Sequence, residues 1–149
     1  MPIERTFALI KTGAIDRHML ARLQAEIATA GITCIRNAPF GEEINPGDRH
    51  LFQRLYAGHA DRPYYAGLIG SVERVALAMI LEGGDVISRW RTLMGPTDPV
   101  RARAEQPRSL RARYGGDAMP DNALHGSDSS LSATREIAIF FPDQAIVDG

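Results

Sequence analysis

Cysteine is almost missing from this chain. Cys34 stands alone among 149 residues, so no disulfide can form within the chain. Its place in an apolar run predicts a buried free thiol, which fits a reducing compartment. An excess of one charge is missing too. A net charge of −1 gives no long-range pull toward nucleic acid or an anionic membrane. Aromatics make up 7% of the residues and are not interleaved with basic ones, so no RNA-reading pattern appears. No stretch approaches the length needed to span a membrane, and the N-terminus has no signal-peptide pattern. A cytoplasmic protein with neither nucleic-acid nor membrane partners is expected. Fingerprints of common chemistries are also lacking. There is no Walker A sequence, no Gly-x-Gly-x-x-Gly run and no Gly-x-Ser-x-Gly elbow. The four histidines, at 18, 50, 59 and 125, are scattered and the cysteine has no partner, so no protein-held metal is expected.

What is present amounts to one domain, residues 1–149, long enough for a real core. Thr6 to Ile10 reads as a central strand and is followed at once by Lys11. That lysine suits a phosphate at the strand's mouth, or simply marks where solvent begins. Leu20, Leu23, Ile27 and Ala28 recur at helical spacing until Ala30-Gly31, and Ile32 to Ile35 makes a second strand reaching Asn37. A loop rich in Pro, Gly and Glu spans 39–47. A helix is predicted from Asp48 to Ala57, with Tyr56 and His59 at its end. Asp61-Arg62-Pro63 opens another helix that includes Tyr64 and Tyr65. Val75 to Leu81 suits a strand buried on both faces. Asp85 is placed to cap a helix running to Met94, which Gly95 to Pro99 stops. The polar segment 95–121 is weakly periodic, rich in arginine and undecided as to helix. After His125 a short helix reaches Arg135 or Glu136, Ile137 to Phe141 reads as the last strand, and 142–149 is a tail. The order β-α-β-α-α-β-α-β describes an α/β (α+β) sandwich. The ferredoxin-like βαββαβ topology, a four-stranded antiparallel sheet with added helices, fits the count and the lengths.

The chemistry centres on Asn122-Ala-Leu-His125-Gly126-Ser127-Asp128-Ser129. It sets one histidine in a polar turn, and Gly126 allows an unusual backbone angle or a ligand's close approach. Ser127, Asp128 and Ser129 can cap a helix whose free N–H groups favour an anion. The same residues also read as a surface loop that carries a histidine. A neutral imidazole, with a reference pKa of roughly 6.5, can attack phosphorus if an acceptor holds its other nitrogen. Glu136 is the candidate acceptor, and equally an ordinary exposed carboxylate. Lys11, Arg91 and Arg111 are candidate clamps for phosphoryl charge.

Taken with that stretch, several other matches make the chain resemble a nucleoside diphosphate kinase along nearly its whole length. They are Lys11 after the first strand, Tyr56 with His59, Arg62-Pro63-Tyr64-Tyr65, Glu82-Gly83, Arg91 through Pro99, and Arg135-Glu136 to Phe141. The resemblance implies transfer of a γ-phosphoryl group from a nucleoside triphosphate to a nucleoside diphosphate, through a phosphohistidine at His125. A non-catalytic regulatory nucleotide binder on the same scaffold is the alternative. The implied roles are specific. Glu136 orients His125, and Ser127 bonds near Glu136, with Gly126 and Asp128 in support. Lys11 and Asn122 contact sugar hydroxyls and phosphate, and Tyr56 sits beside the histidine. His59, Arg91, Thr97 and Arg111 bind phosphates. Tyr64, where phenylalanine is usual, stacks on the base, and Met119 covers its other face. Mg²⁺ arrives mainly on the nucleotide, and a homo-oligomer is implied. The chain departs from the family at Lys11-Thr12-Gly13, where Lys-Pro-Asp or Lys-Pro-Glu is usual, and in a longer 39–47 loop. It also has Glu73-Arg74-Val75 in place of Ser-Gly-Pro and Pro120-Asp121 in place of Gly-Arg. No matched catalytic residue is lost, which implies an active enzyme, and the changes imply one slower or more selective than is typical of the family.

Overall fold

β1 (Ile3–Lys11) lies between two layers of helix, and every residue from Thr6 to Lys11 is buried. The two-residue period of a strand sends Ala8 and Ile10 to one face and Phe7 and Leu9 to the other. The computed structural model describes residues 3–11, 17–39, 49–70, 75–116 and 124–144. Expectations for Thr12-Gly13, the loop from 40 to 48, Glu73-Arg74, Met119, Pro120-Asp121, Asn122 and the end of the tail lie outside those residues.

After β1 come α1 (Arg17–Thr29), β2 (Thr33–Pro39), α2 (Arg49–Leu55) and α3 (Tyr65–Gly70). β3 (Val75–Gly84), α4 (Val86–Met94), α5 (Pro99–Glu105) and α6 (Leu110–Tyr114) follow. β4 (Leu124–Gly126) and α7 (Ser130–Phe140) complete the order. The sheet runs β2-β3-β1-β4, and every pairing is antiparallel. This is the expected ferredoxin-like arrangement. On one face Ala8, Ile10, Leu77 and Met79 pack with Leu23 and Ile27 of α1 and with Trp90 of α4. On the other, Phe7, Leu9, Ala78 and Ile80 pack with Phe52 of α2 and with Ile137 and Phe140 of α7. The added helices thus close the second face of the sheet, and Phe7–Ile10 of β1 and Val75–Leu81 of β3 are continuously apolar for that reason.

Several expectations are overturned. Ile137 to Phe141 is not a strand; α7 continues through Phe140. The buried positions Ala133, Glu136, Ile137 and Phe140 recur at helical spacing, and Ser129 caps the start by accepting from Ser132 N. The fourth strand is Leu124–Gly126, so His125 sits in a strand and not in a turn. The segment after Pro99 holds two short helices, each begun by a capping side chain, Asp98 for α5 and Ser109 for α6. Asp85 makes no side-chain cap; its backbone is left-handed at φ 51°, a conformation aspartate tolerates better than most residues. α3 starts at Tyr65, which leaves Pro63 and Tyr64 in the preceding turn. β3 runs on through Gly84 rather than stopping at Leu81. Cys34 is exposed, because β2 is an edge strand with one neighbour. An apolar run does not tell an edge strand from a central one. Gly31, by contrast, ends α1 as expected with φ 77°.

Candidate active site

Three residues of β4 do three different jobs. Leu9 of β1 stands opposite His125, which puts the imidazole on the α2–α7 face of the sheet. Leu124 and Gly126 face the other way. A Cβ on Gly126 would lie 2.5 Å from Trp90 Cδ1 and 2.7 Å from Met94 Cε. The glycine is therefore required by the indole beneath it, and not by a left-handed backbone. Trp90 Nε1 also donates to the His125 carbonyl at 3.2 Å.

α7 brings Glu136 up to the histidine. Glu136 Oε1 lies 2.8 Å from His125 Nε2 and accepts from Ser127 Oγ at 3.0 Å. Ser127 Oγ in turn accepts from Phe7 N at 3.2 Å, which anchors the network to β1. Glu136 is 4% exposed, so it is not the ordinary surface carboxylate of the alternative reading. A carboxylate at Nε2 keeps the ring proton there and leaves Nδ1 with its lone pair. Tyr56 packs edge-on to the imidazole, with ring centroids 5.8 Å apart.

A cavity of about 570 Å³ opens on this pair. Lys11, Tyr56, His59, Tyr64, Arg91, Thr97, Arg111, His125, Gly126, Asp128 and Glu136, all named from the sequence, line it. A single 3₁₀ turn, Ala57–His59, separates Tyr56 from His59. Ser127 is fully buried behind the cavity wall. Burial pushes the Tyr56 phenol well above its ordinary pKa, and the nearby Glu136 charge adds to this while Arg111 opposes it. Tyr56 therefore stays protonated and can donate. Hydrogen bonding from Ser132 holds the Asp128 carboxyl below its usual range, helped by Ser129 and by the Arg91 charge.

The two arginines differ in kind. Arg91 is exposed. Arg111 is buried, donating through Nη1 to Gly95 O at 2.8 Å and through Nη2 to Leu124 O at 3.1 Å. Burial pulls its pKa down to about 10, with Tyr56 opposing and Arg91 adding to the drop, so it remains charged at neutral pH. Its Nε has no partner among the described residues. Two residues were not singled out from the sequence as site residues. Arg135 donates to Arg54 O and Leu55 O and approaches Glu136 Oε2 at 3.8 Å, tying α7 to the end of α2. Trp90 supports His125 from below. Only Arg135's place beside Glu136 hinted at the first, and nothing local pointed to the second. Among the described residues no group of three His, Cys, Asp or Glu side chains is placed to hold a metal ion.

Comparison with known proteins agrees with this geometry. A family model described as nucleoside diphosphate kinase matches residues 4–146. The chain is 33% identical to a nucleoside diphosphate kinase of Thiobacillus denitrificans, over all of this chain and 99% of the other. It is 35% identical to one from Thermobifida fusca, over 96% of this chain and all of the other. The Aquifex aeolicus nucleoside diphosphate kinase structure superposes with a TM-score of 0.81 at 31% identity, covering 98% of this chain and 100% of that one. The Halobacterium salinarum nucleoside diphosphate kinase, solved in complex with CDP, gives 0.82 at 30% identity, covering 99% and 93%. A match along the whole chain, at these identities and with this fold, has one reading: the chain belongs to the nucleoside diphosphate kinase family and is an enzyme of the phosphotransferase class.

Proposed function

We propose that the enzyme moves a γ-phosphoryl group from a nucleoside triphosphate to a nucleoside diphosphate, in two half-reactions through a phosphorylated His125. The observation that carries this is the 2.8 Å contact of Glu136 with His125 Nε2, at the edge of the cavity. In the first half-reaction the Nδ1 lone pair attacks the γ-phosphorus. A bond forms from Nδ1 to phosphorus, the bond to the β,γ-bridging oxygen breaks, and the diphosphate leaves with that electron pair. The Nε2 proton stays in its hydrogen bond to Glu136, which stabilises the positive ring as it forms. In the second, a terminal oxygen of the acceptor's diphosphate attacks the same phosphorus and Nδ1 leaves. One pocket then serves donor and acceptor in turn.

Lys11, His59, Arg91, Thr97 and Arg111 are the proposed phosphate contacts, and Tyr56 a donor beside the transferring group. Tyr64 is the proposed platform for the base. Met119 and Asn122 keep the roles that the resemblance gives them. Mg²⁺ enters as part of the nucleotide substrate and neutralises phosphate charge. The donor set fits that assignment, since the cavity wall has two carboxylates among the described residues, Asp128 and Glu136, and Glu136 is committed to His125. Asp128 is the one that would face the ion. A homo-oligomer in the cytoplasm remains our proposal for the working state. No described helix is long and apolar enough to cross a membrane.

Incubation with γ-labelled ATP and Mg²⁺, without an acceptor, is expected to release ADP and leave one acid-labile, alkali-stable label per chain. Added GDP should discharge it as GTP. A regulatory binder would release no ADP, and a label on another residue able to form GTP would remove His125 from the reaction.

The contrast between the arginines gives a second test. Arg91→Ala should lower turnover while leaving the thermal midpoint in place, because the side chain is exposed. Arg111→Ala should lower both. It removes two charge-assisted hydrogen bonds to backbone carbonyls, each worth roughly 1.5–3 kcal/mol. Paired melting curves and steady-state rates decide the matter, and an unchanged midpoint for Arg111→Ala would deny its bridging role.

A further inference from the structure

A ring that only stacks on a base needs its π face and nothing more, yet Tyr64 also carries a hydroxyl. That hydroxyl lies 2.6 Å from His59 Nδ1. The two ring centroids are 5.6 Å apart with the planes tilted by 53°, and both side chains line the cavity. A phenol O–H donates, and a neutral imidazole accepts at the one ring nitrogen that carries no proton. The bond therefore runs from Tyr64 O–H to His59 Nδ1. A neutral imidazole that accepts at Nδ1 must carry its proton at Nε2. The alternative tautomer would turn a lone pair at Nε2 toward an anion and repel it.

From this we infer that Tyr64 is a positioning residue acting through His59, its hydroxyl holding the imidazole in the orientation and tautomer that donate Nε2–H to a diphosphate oxygen. The inference rests on the nucleotide reading of the cavity. It also couples two parts of the ligand. A base that stacks on Tyr64 steadies the hydroxyl, and the hydroxyl steadies the phosphate donor. The contribution is the same for purine and pyrimidine diphosphates, because the hydroxyl reads no base edge.

Tyr64→Phe isolates the hydroxyl, since the ring is kept and the site is exposed. Calorimetric titration should show Kd for ADP and for CDP raised by about threefold to tenfold, the size expected when one hydrogen bond is lost, with an unchanged thermal midpoint. In a His59→Ala background the same substitution should add nothing. Nitrogen-15 spectra of the His59 ring, recorded without nucleotide, should show the Nε2–H tautomer in the parent and a mixture in Tyr64→Phe. An equal loss in the His59→Ala background would overturn the inference and give the hydroxyl a contact of its own. Unchanged affinity, or an unchanged tautomer, would also overturn it. A parent chain with no diphosphate affinity would instead overturn the nucleotide reading, and the spectra would still judge the link between the hydroxyl and His59.

Discussion

Replacing His125 with alanine is expected to reduce phosphate exchange by on the order of a thousandfold or more, the scale seen when a covalent nucleophile is removed. Among the described residues, no other ring nitrogen on the cavity wall lies at bonding distance from a buried carboxylate. The fold should survive. The imidazole touches Phe7 and Tyr56 only through ring contacts at 5.9 and 5.8 Å between centroids. Glu136 would lose one partner but keep Ser127 Oγ at 3.0 Å and Arg135 at 3.8 Å. A buried carboxylate left short of one donor costs roughly 1–3 kcal/mol, so a drop of a few degrees in midpoint is expected. Glu136→Gln should slow labelling and not abolish it, because the amide still occupies the site without its charge. Circular dichroism melts, nucleotide titration and single-turnover labelling of each variant separate these effects. A His125→Ala protein that exchanged phosphate at the parent rate would end the covalent mechanism.

Gly126→Ala should be nearly as damaging, though no reacting group is removed. The new methyl would sit 2.5 Å from Trp90 Cδ1 and 2.7 Å from Trp90 Nε1. Met94 Cε, at 2.7 Å, is the far end of a flexible chain and can yield. The indole yields only at a cost, because it is fully buried between the sheet and its own helix. β4 must lift away or the indole must tilt. Either movement breaks the 3.2 Å bond from Trp90 Nε1 to the His125 carbonyl. Overpacking of this kind costs roughly 1–3 kcal/mol. Displacing a reacting group by about 1 Å can cost about a hundredfold in rate. Thermal denaturation and turnover should therefore fall together, and Trp90→Leu in the same chain should restore part of the stability by making room. Normal turnover in Gly126→Ala would show that β4 adjusts without moving His125.

Much of the site was legible in the sequence because its residues lie in short, polar, unusual stretches. Much of the fold was legible because the apolar runs Phe7–Ile10 and Val75–Leu81 suit only central strands. What stayed hidden depended on partners far away in the chain. β4 has three residues, too few to show alternation, and only its ladder to Ala8–Ile10 makes it a strand. The run Ile137–Phe141 looks like a strand in isolation, yet Ala133 and Glu136 carry its buried stripe back into a helix. The two helices after Pro99 were announced by Asp98 and Ser109, whose capping meaning is plain only once the helices are seen. Arg111 could be recognised as a candidate clamp, but not as a side chain buried against two carbonyls.

The proposed nucleophile His125 and the carboxylate of Glu136 beside it lie 11 residues apart, on one contiguous strand–helix unit. The proposed phosphate and base contacts come from widely separated parts of the chain, from Lys11 to Arg111. Closing the reactive pair needs only a short loop, whereas assembling the substrate wall requires most of the domain to have folded. The two can therefore change on separate terms. On the proposed reading, substitutions among the outlying contacts should alter how tightly a nucleotide is held, while the pair in Leu124 to Phe140 stays set by its own short connection and by its anchors on β1 and Trp90. A catalyst arranged in this way can shift substrate preference without rebuilding its chemistry.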